Sequence, residues 1–206
     1  MTPLERWRGL GQRLRAKGDA QAAFARLSAG YAEPGRAYHT LAHIEACLAQ
    51  FDQARHLSRN PDRVEFALWY HDVVYDSRRL DNEEASARVA ARAAAEIGLG
   101  ADFASRVGEM ILATKHEVMP ADIDAQLVVD CDLASLGCSP EEFDRNGAAV
   151  RRECGWMSEG EFRRQRNQLF ERFLSRPNIY CTEFFRSRYE AQARENLERV
   201  WRSRNG

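Results

Sequence analysis

Hydrophobic positions along the chain recur mostly at intervals of three and four, the period of a helix that packs one face and exposes the other. Leu4, Trp7, Leu10 and Leu14 mark the first such stripe, over residues 3–16. A second helix is expected over 20–27, closing near Gly30, after which Pro34-Gly35 punctuates a loop. Asn60 followed by Pro61 has the form of an N-cap with proline in the first helical position, and predicts a helix over 61–76. The acids of Asp81-Asn82-Glu83-Glu84 suit a helix N-terminus and open the alanine-rich run 85–97. Further helices are expected over 102–116 and 125–136. Ser139-Pro-Glu-Glu142 and Ser158-Glu-Gly-Glu161 read as capping boxes that start two more, and 183–200 forms a last helix packed through Phe184, Phe185, Tyr189 and Leu197. No stretch alternates as a strand would. The expected fold is all-α, with residues 1–206 in one helical domain.

Composition narrows the partners. At 206 residues and 44% hydrophobic, the chain can bury one sizeable core. Its 30 basic and 31 acidic side chains leave no global field to draw it onto nucleic acid or an anionic membrane. The five cysteines are scattered, odd in number and without a Cys-x-x-Cys pair, which argues against a disulfide framework and for a reducing cytoplasm. The N-terminus lacks the apolar core of a signal peptide, and no apolar run reaches the roughly 20 residues that span a bilayer. A small-molecule partner is expected; a homodimer is compatible with the pattern.

Several polar side chains interrupt otherwise apolar helical runs: His39, His43, His71, Asp72, His116, Asp130 and Asp132. Burying such groups unpaired costs several kcal/mol, on the order of 2–7 for a neutral group. A metal ion is one partner that satisfies imidazole and carboxylate together. His39 and His43 stand four apart, on one face if the helix has begun by His39.

The ordered set resembles the HD-domain metal-dependent phosphohydrolases, which carry a His on one helix, a His-Asp doublet on the next and a distant Asp on a later one. Tyr38-His39-x-x-x-His43 is similar to the entry motif of the cyclic-nucleotide phosphodiesterases of the same superfamily. Trp69-Tyr-His71-Asp72-x-x-Tyr75-Asp76, Asn82-Glu83-x-x-Ser86-Ala and Asp132-Leu-x-x-Leu-Gly resemble a group of small bacterial proteins described as predicted metal-dependent HD phosphohydrolases. The resemblance covers residues 36–137, leaving 138–206 as a helical extension.

The resemblance implies His43, His71, Asp72 and Asp132 as metal ligands and His39 as the acid that protonates the leaving group, with Asp72 also serving the chemistry. Asp130 rivals Asp132: residues two apart on a helix point about 200° apart, so one alone can face the ion, and the family's Asp-Leu favours Asp132. Glu83 and Asp76 are candidates to support the ligands, and Lys115, His116 or Arg36 to meet a phosphate. Position 40 is Thr where the phosphodiesterases have Asn, so their particular substrate does not carry over.

A shell of imidazole and carboxylate suits Mn, Fe, Co, Ni or Zn, with carboxylates able to bridge to a harder ion such as Mg. The expected activity is hydrolysis of a small phosphoester, such as a nucleotide, by metal-activated water. Two alternatives are a non-catalytic metal- or nucleotide-binding regulatory module and a di-iron oxygenase of the same superfamily, which would need more histidines.

Overall fold

Ten α-helices, packed into one all-α bundle, make up the computed structural model, which describes residues 1–205, with side chains through Arg202. In chain order they are α1 (Pro3–Arg13), α2 (Ala20–Tyr31), α3 (Leu41–Ala54), α4 (Pro61–Tyr70), α5 (Asn82–Glu96), α6 (Ala101–Ala113), α7 (Ile123–Leu133), α8 (Pro140–Glu153), α9 (Glu159–Leu174) and α10 (Glu183–Asn205). Short 3-10 turns, Arg55–Leu57 and Ala134–Gly137, follow α3 and α7. Among the described residues there is no strand, and no helix is long and apolar enough to cross a membrane.

Local sequence explains most helix starts. Thr2 and Ser158 each close a reciprocal capping box with the glutamate three residues on, and Asp19, Asp122 and Ser139 accept first-turn amides. Asn60 departs from its expected role. Its side-chain amide donates not to its own helix but to Asp124, whose buried carboxylate also accepts from Ser58 Oγ and the amides of Arg59 and Asn60. Pro61 alone opens α4, and Asp124 fastens the start of α7 to the α3–α4 connection.

α4 is the hub. Val64, Phe66, Ala67, Leu68 and Trp69 are wholly buried, because α1, α3, α5, α6 and α7 all pack around them. One hydrophobic cluster runs from Trp7 to Val200, and a smaller one, Cys154, Met157 and Phe162, lies between α8 and α9. α10 lies against the 3-10 turn after α7 so closely that a Cβ at Gly137 would come within 2.6 Å of Tyr189 Cβ. Asp130 secures that contact from below: its oxygens accept from the amides of Cys181 and Thr182 and from the Thr182 hydroxyl, at 2.6–2.8 Å, at the start of α10.

Four helices end at least three residues earlier than their patterns predict, α1 at Arg13 instead of 16 among them. α4 stops at Tyr70 instead of continuing to 76, because the Tyr31 hydroxyl takes the Trp69 carbonyl at 2.8 Å and the Arg36 guanidinium takes the carbonyls of Asp72 and Val73. α6 stops at Ala113, short of His116, whose φ of 54° is left-handed. α7 stops at Leu133 and tightens into the 3-10 turn before 136. The endings of α4 and α6 leave Asp72 and His116 beyond the helices, with His71 as the still helical C-cap of α4.

Candidate metal centre

His43 sits in the first turn of α3, which begins only at Leu41, so His39 lies in the bend that precedes the helix and not on its face. Four ligand-bearing side chains converge: His43, Cys47, His71 and Asp132 offer atoms all within 4.8 Å of one another, an arrangement that could hold a metal ion. His43 Nε2 lies 3.1 Å from Asp132 Oδ1, 3.5 Å from Asp72 Oδ2 and 3.6 Å from Cys47 Sγ. His71 and Asp72 come from the C-terminus of α4, Asp132 from the last turn of α7, and Cys47 from one turn beyond His43 on α3.

His71 tests whether these residues fit an ion. Its Nδ1 lies 3.0 Å from the Leu68 carbonyl, which only accepts, so the proton is on Nδ1. In the neutral ring Nε2 then presents a lone pair, buried and without a hydrogen bond, 3.1 Å from Asp72 Oδ2 and 3.6 Å from Asp132 Oδ1. Acceptor faces acceptor. Only positive charge between them makes the arrangement favourable, and an imidazole anchored by its other nitrogen to a backbone carbonyl is how ligand histidines are oriented.

The titration behaviour has the same origin. Burial would lower the His71 pKa, but Asp72 and Asp132 raise it well above the usual value. Burial would raise both carboxyls, but His71 beside Asp72, and His116, His43 and His71 around Asp132, hold them well below the usual range. Burial pushes the Cys47 thiol up, and Asp132 adds to it.

His39 is placed beside this group, its ring 6.1 Å from that of His43 and stacked on Tyr75 at 3.8 Å. Its Nδ1 lies 2.7 Å from Glu153 Oε2, and Glu153 Oε1 accepts from the amides of Ala37, Tyr38 and His39. Burial opposes a charge on His39, yet the Glu153 hydrogen bond and the Asp72 charge raise its pKa above the usual value. Burial likewise disfavours the Glu153 anion, but His39 and the backbone amides bring that carboxyl down to about 2. Sequence reasoning does not find Glu153, which reads as one more charge in Arg151-Arg-Glu-Cys at a helix end. Nor does it find Cys47, although the i, i+4 spacing from His43 was available as a signal.

The remaining candidates are distributed unevenly. His116 Nε2 lies 2.9 Å from Asp132 Oδ2, its carbonyl bonded by Arg176 and its Nδ1 buried without a partner. Asp130 is turned away, held at the start of α10 as described. Lys115 is paired with Glu84 at 2.5 Å, and the buried Arg36 binds the carbonyls of His39, Asp72 and Val73. Asp76 is exposed and closes the turn toward Arg78, while Asn82 bonds both the amide and the carbonyl of residue 76. Glu83, half-buried in the first turn of α5, has its pKa raised by burial and by the nearby Asp72 charge. Ser86 bonds both backbone groups of Val74, tying the segment after His71-Asp72 to α5.

No protein-family model, curated protein or solved structure gives a significant match to the chain.

Proposed function

We propose that the chain is a metal-dependent phosphohydrolase of the HD type, cleaving a small phosphoester. The observation that carries this reading is the buried His71 Nε2, which makes no hydrogen bond and, in the neutral ring, aims a lone pair at the carboxylates of Asp72 and Asp132, 3.1 and 3.6 Å away. His43, His71, Asp72 and Asp132 would hold a divalent ion, with Cys47 close enough to favour the softer choices. Such an ion, when bound, polarises a phosphoryl oxygen and lowers the pKa of water.

The protein's own groups supply the rest. Glu153 fixes the tautomer and charge of His39, leaving Nε2 to protonate the departing alkoxide, and Tyr75 sets the ring plane. Asp72, held as the anion, orients the attacking water by accepting its hydrogen bond. A purely regulatory metal site gives the buried His39–Glu153 pair no task, which favours chemistry over binding alone. His116 against Asp132 adds a third imidazole and supports a di-iron oxygenase as the second reading; oxygen uptake by the iron-loaded protein tests it.

The test compares metal content and phosphate release, across an ester panel in Mn, Ni and Mg, for wild type, Asp72→Ala and His39→Ala. Asp72→Ala should lose the metal. His39→Ala should keep it and lose about 10²–10⁴ in rate, the usual contribution of a general acid. Undiminished turnover by His39→Ala would remove the acid role, and a metal-free wild type under every loading condition would remove the hydrolase.

A further inference from the structure

A cavity of about 460 Å³ opens beside His39. Tyr38, His39 and Ser135 form one end, and they also border the metal centre: the Tyr38 ring is 4.9 Å from that of His43, and its hydroxyl bonds Ser135 Oγ, three residues after Asp132, at 2.7 Å. The other walls come from α8 and α9, outside the region that carries the sequence motifs. They are mainly apolar, with Phe143, Val150, Phe162, Leu169 and Phe170, and Leu136 of the turn after α7 adds to them. Arg166 lies across three of these rings, its guanidinium 5.0 Å from the centre of Phe170, 5.8 Å from Phe162 and 5.9 Å from Phe143. Gly147 makes room for it, since a Cβ there would come within 2.8 Å of Arg166 Nη2. Two carboxamides, Asn146 and Gln165, also reach the cavity, and among the described residues no acidic side chain lines it.

These walls select among phosphoesters. A sugar phosphate or a polyphosphate would surrender water to apolar walls that return few hydrogen bonds. A planar heterocycle gains by stacking on aromatic and guanidinium faces, and its edge meets the donors and acceptors of two amides. The volume falls in the range of small-ligand pockets, about 300–1,000 Å³. A wall with arginines and no acid tolerates an anionic ester.

We infer that this cavity receives the alcohol half of the substrate and that this half is a nucleoside, making the substrate a nucleoside monophosphate. The inference rests on the hydrolase reading. In the reaction the P–O bond to the nucleoside breaks, its oxygen takes the His39 proton, and the oxygen of water bonds phosphorus. One proton of that water stays on the phosphate and the other restores His39.

The experiment has two arms. In the first, the Mn-loaded protein hydrolyses AMP, GMP, CMP, UMP and ribose 5-phosphate; at least one nucleotide should exceed ribose 5-phosphate in kcat/KM by about 100-fold, the scale on which a shaped pocket discriminates. In the second, calorimetry follows the matching nucleoside binding to chelator-treated protein. Leu169→Trp, at a position 36% exposed that accepts bulk, and Val150→Trp fill the cavity from opposite helices. Each should weaken nucleoside binding about tenfold or more, as loss of one stacked base would. Ribose 5-phosphate cleaved as well as every nucleotide, or nucleoside binding untouched by both tryptophans, overturns the inference and leaves the hydrolase standing. Nucleoside binding that both tryptophans weaken, without phosphate release from any ester, keeps the nucleoside site and overturns the hydrolase.

Discussion

Glu65 and Asp132 are both acids drawn into the bundle among basic side chains, and their surroundings behave in opposite ways. Glu65, with 2% of its side chain exposed, accepts from Arg6 Nε at 3.0 Å and from Arg13 and Arg55 at 2.6 Å, while Asp52 and Asp62 share the same guanidinia. Guanidinium is always charged and brings its own protons, so every contact pairs donor with acceptor. Asp132 is ringed instead by imidazoles, each with one proton when neutral, and neutral His71 commits that proton to the Leu68 carbonyl. The first cluster is closed. The second is short of positive charge, and that deficit separates a receptacle from a staple better than burial or composition does.

The comparison can be broken at either end. Glu65→Ala would leave Arg6, Arg13 and Arg55 to Asp52 and Asp62 alone and should cost about 3–5 kcal/mol in urea unfolding while leaving metal content unchanged; a loss of surface-pair size would make the network incidental. Divalent metal added to chelator-stripped protein should stabilise it by about 2.7 kcal/mol at 100 times the dissociation constant. Glu65→Ala should keep that increment and His71→Ala should lack it. Equal stabilisation of His71→Ala would put the ion elsewhere.

Asp130 and Asp132 sharpen the contrast within a single helix. Asp130→Ala should cost about 1–3 kcal/mol by stranding the donors of Cys181 and Thr182, with metal retained, whereas Asp132→Ala should lose metal; the reverse pattern would exchange their roles.

The last expected effect, at Glu153, is one of pH dependence. Its carboxyl is held at about 2 against an ordinary 4.5, so the folded state favours the anion. That stability is present in full above pH 4.5 and fades as pH falls toward 2. Unfolding followed between those limits should show the gap between wild type and Glu153→Gln closing toward acid; a constant gap would mean that Glu153 acts by shape alone.

The bundle was legible wherever a helix is set by its own residues. Ser158 caps the turn that follows it, as its capping box predicts, and α5 begins among the acids that mark it, whereas the caps Asp19 and Asp122 were not read. Endings were less legible, because Tyr31 and Arg36 terminate α4 from other parts of the chain. The same limit applies to the site. His43, His71, Asp72 and Asp132 betray themselves as polar residues in apolar runs, whereas Glu153 sits among arginines at a helix end and becomes buried only when α8 docks beside the loop before α3. The cavity was illegible for a related reason: Phe143, Phe162 and Phe170 have the spacing of ordinary core residues, and only the packing of α8 on α9 leaves a space between them.

The bond between His39 and Glu153 joins residues 114 apart in sequence, and that separation orders events during synthesis. At about 5–20 residues per second a ribosome needs on the order of ten seconds to travel from one to the other. Through that interval the emerging polypeptide carries every proposed ligand up to Asp132 but not the carboxylate that charges and aims its acid. The His39–Glu153 pair is thus completed last, after every proposed ion ligand has been made.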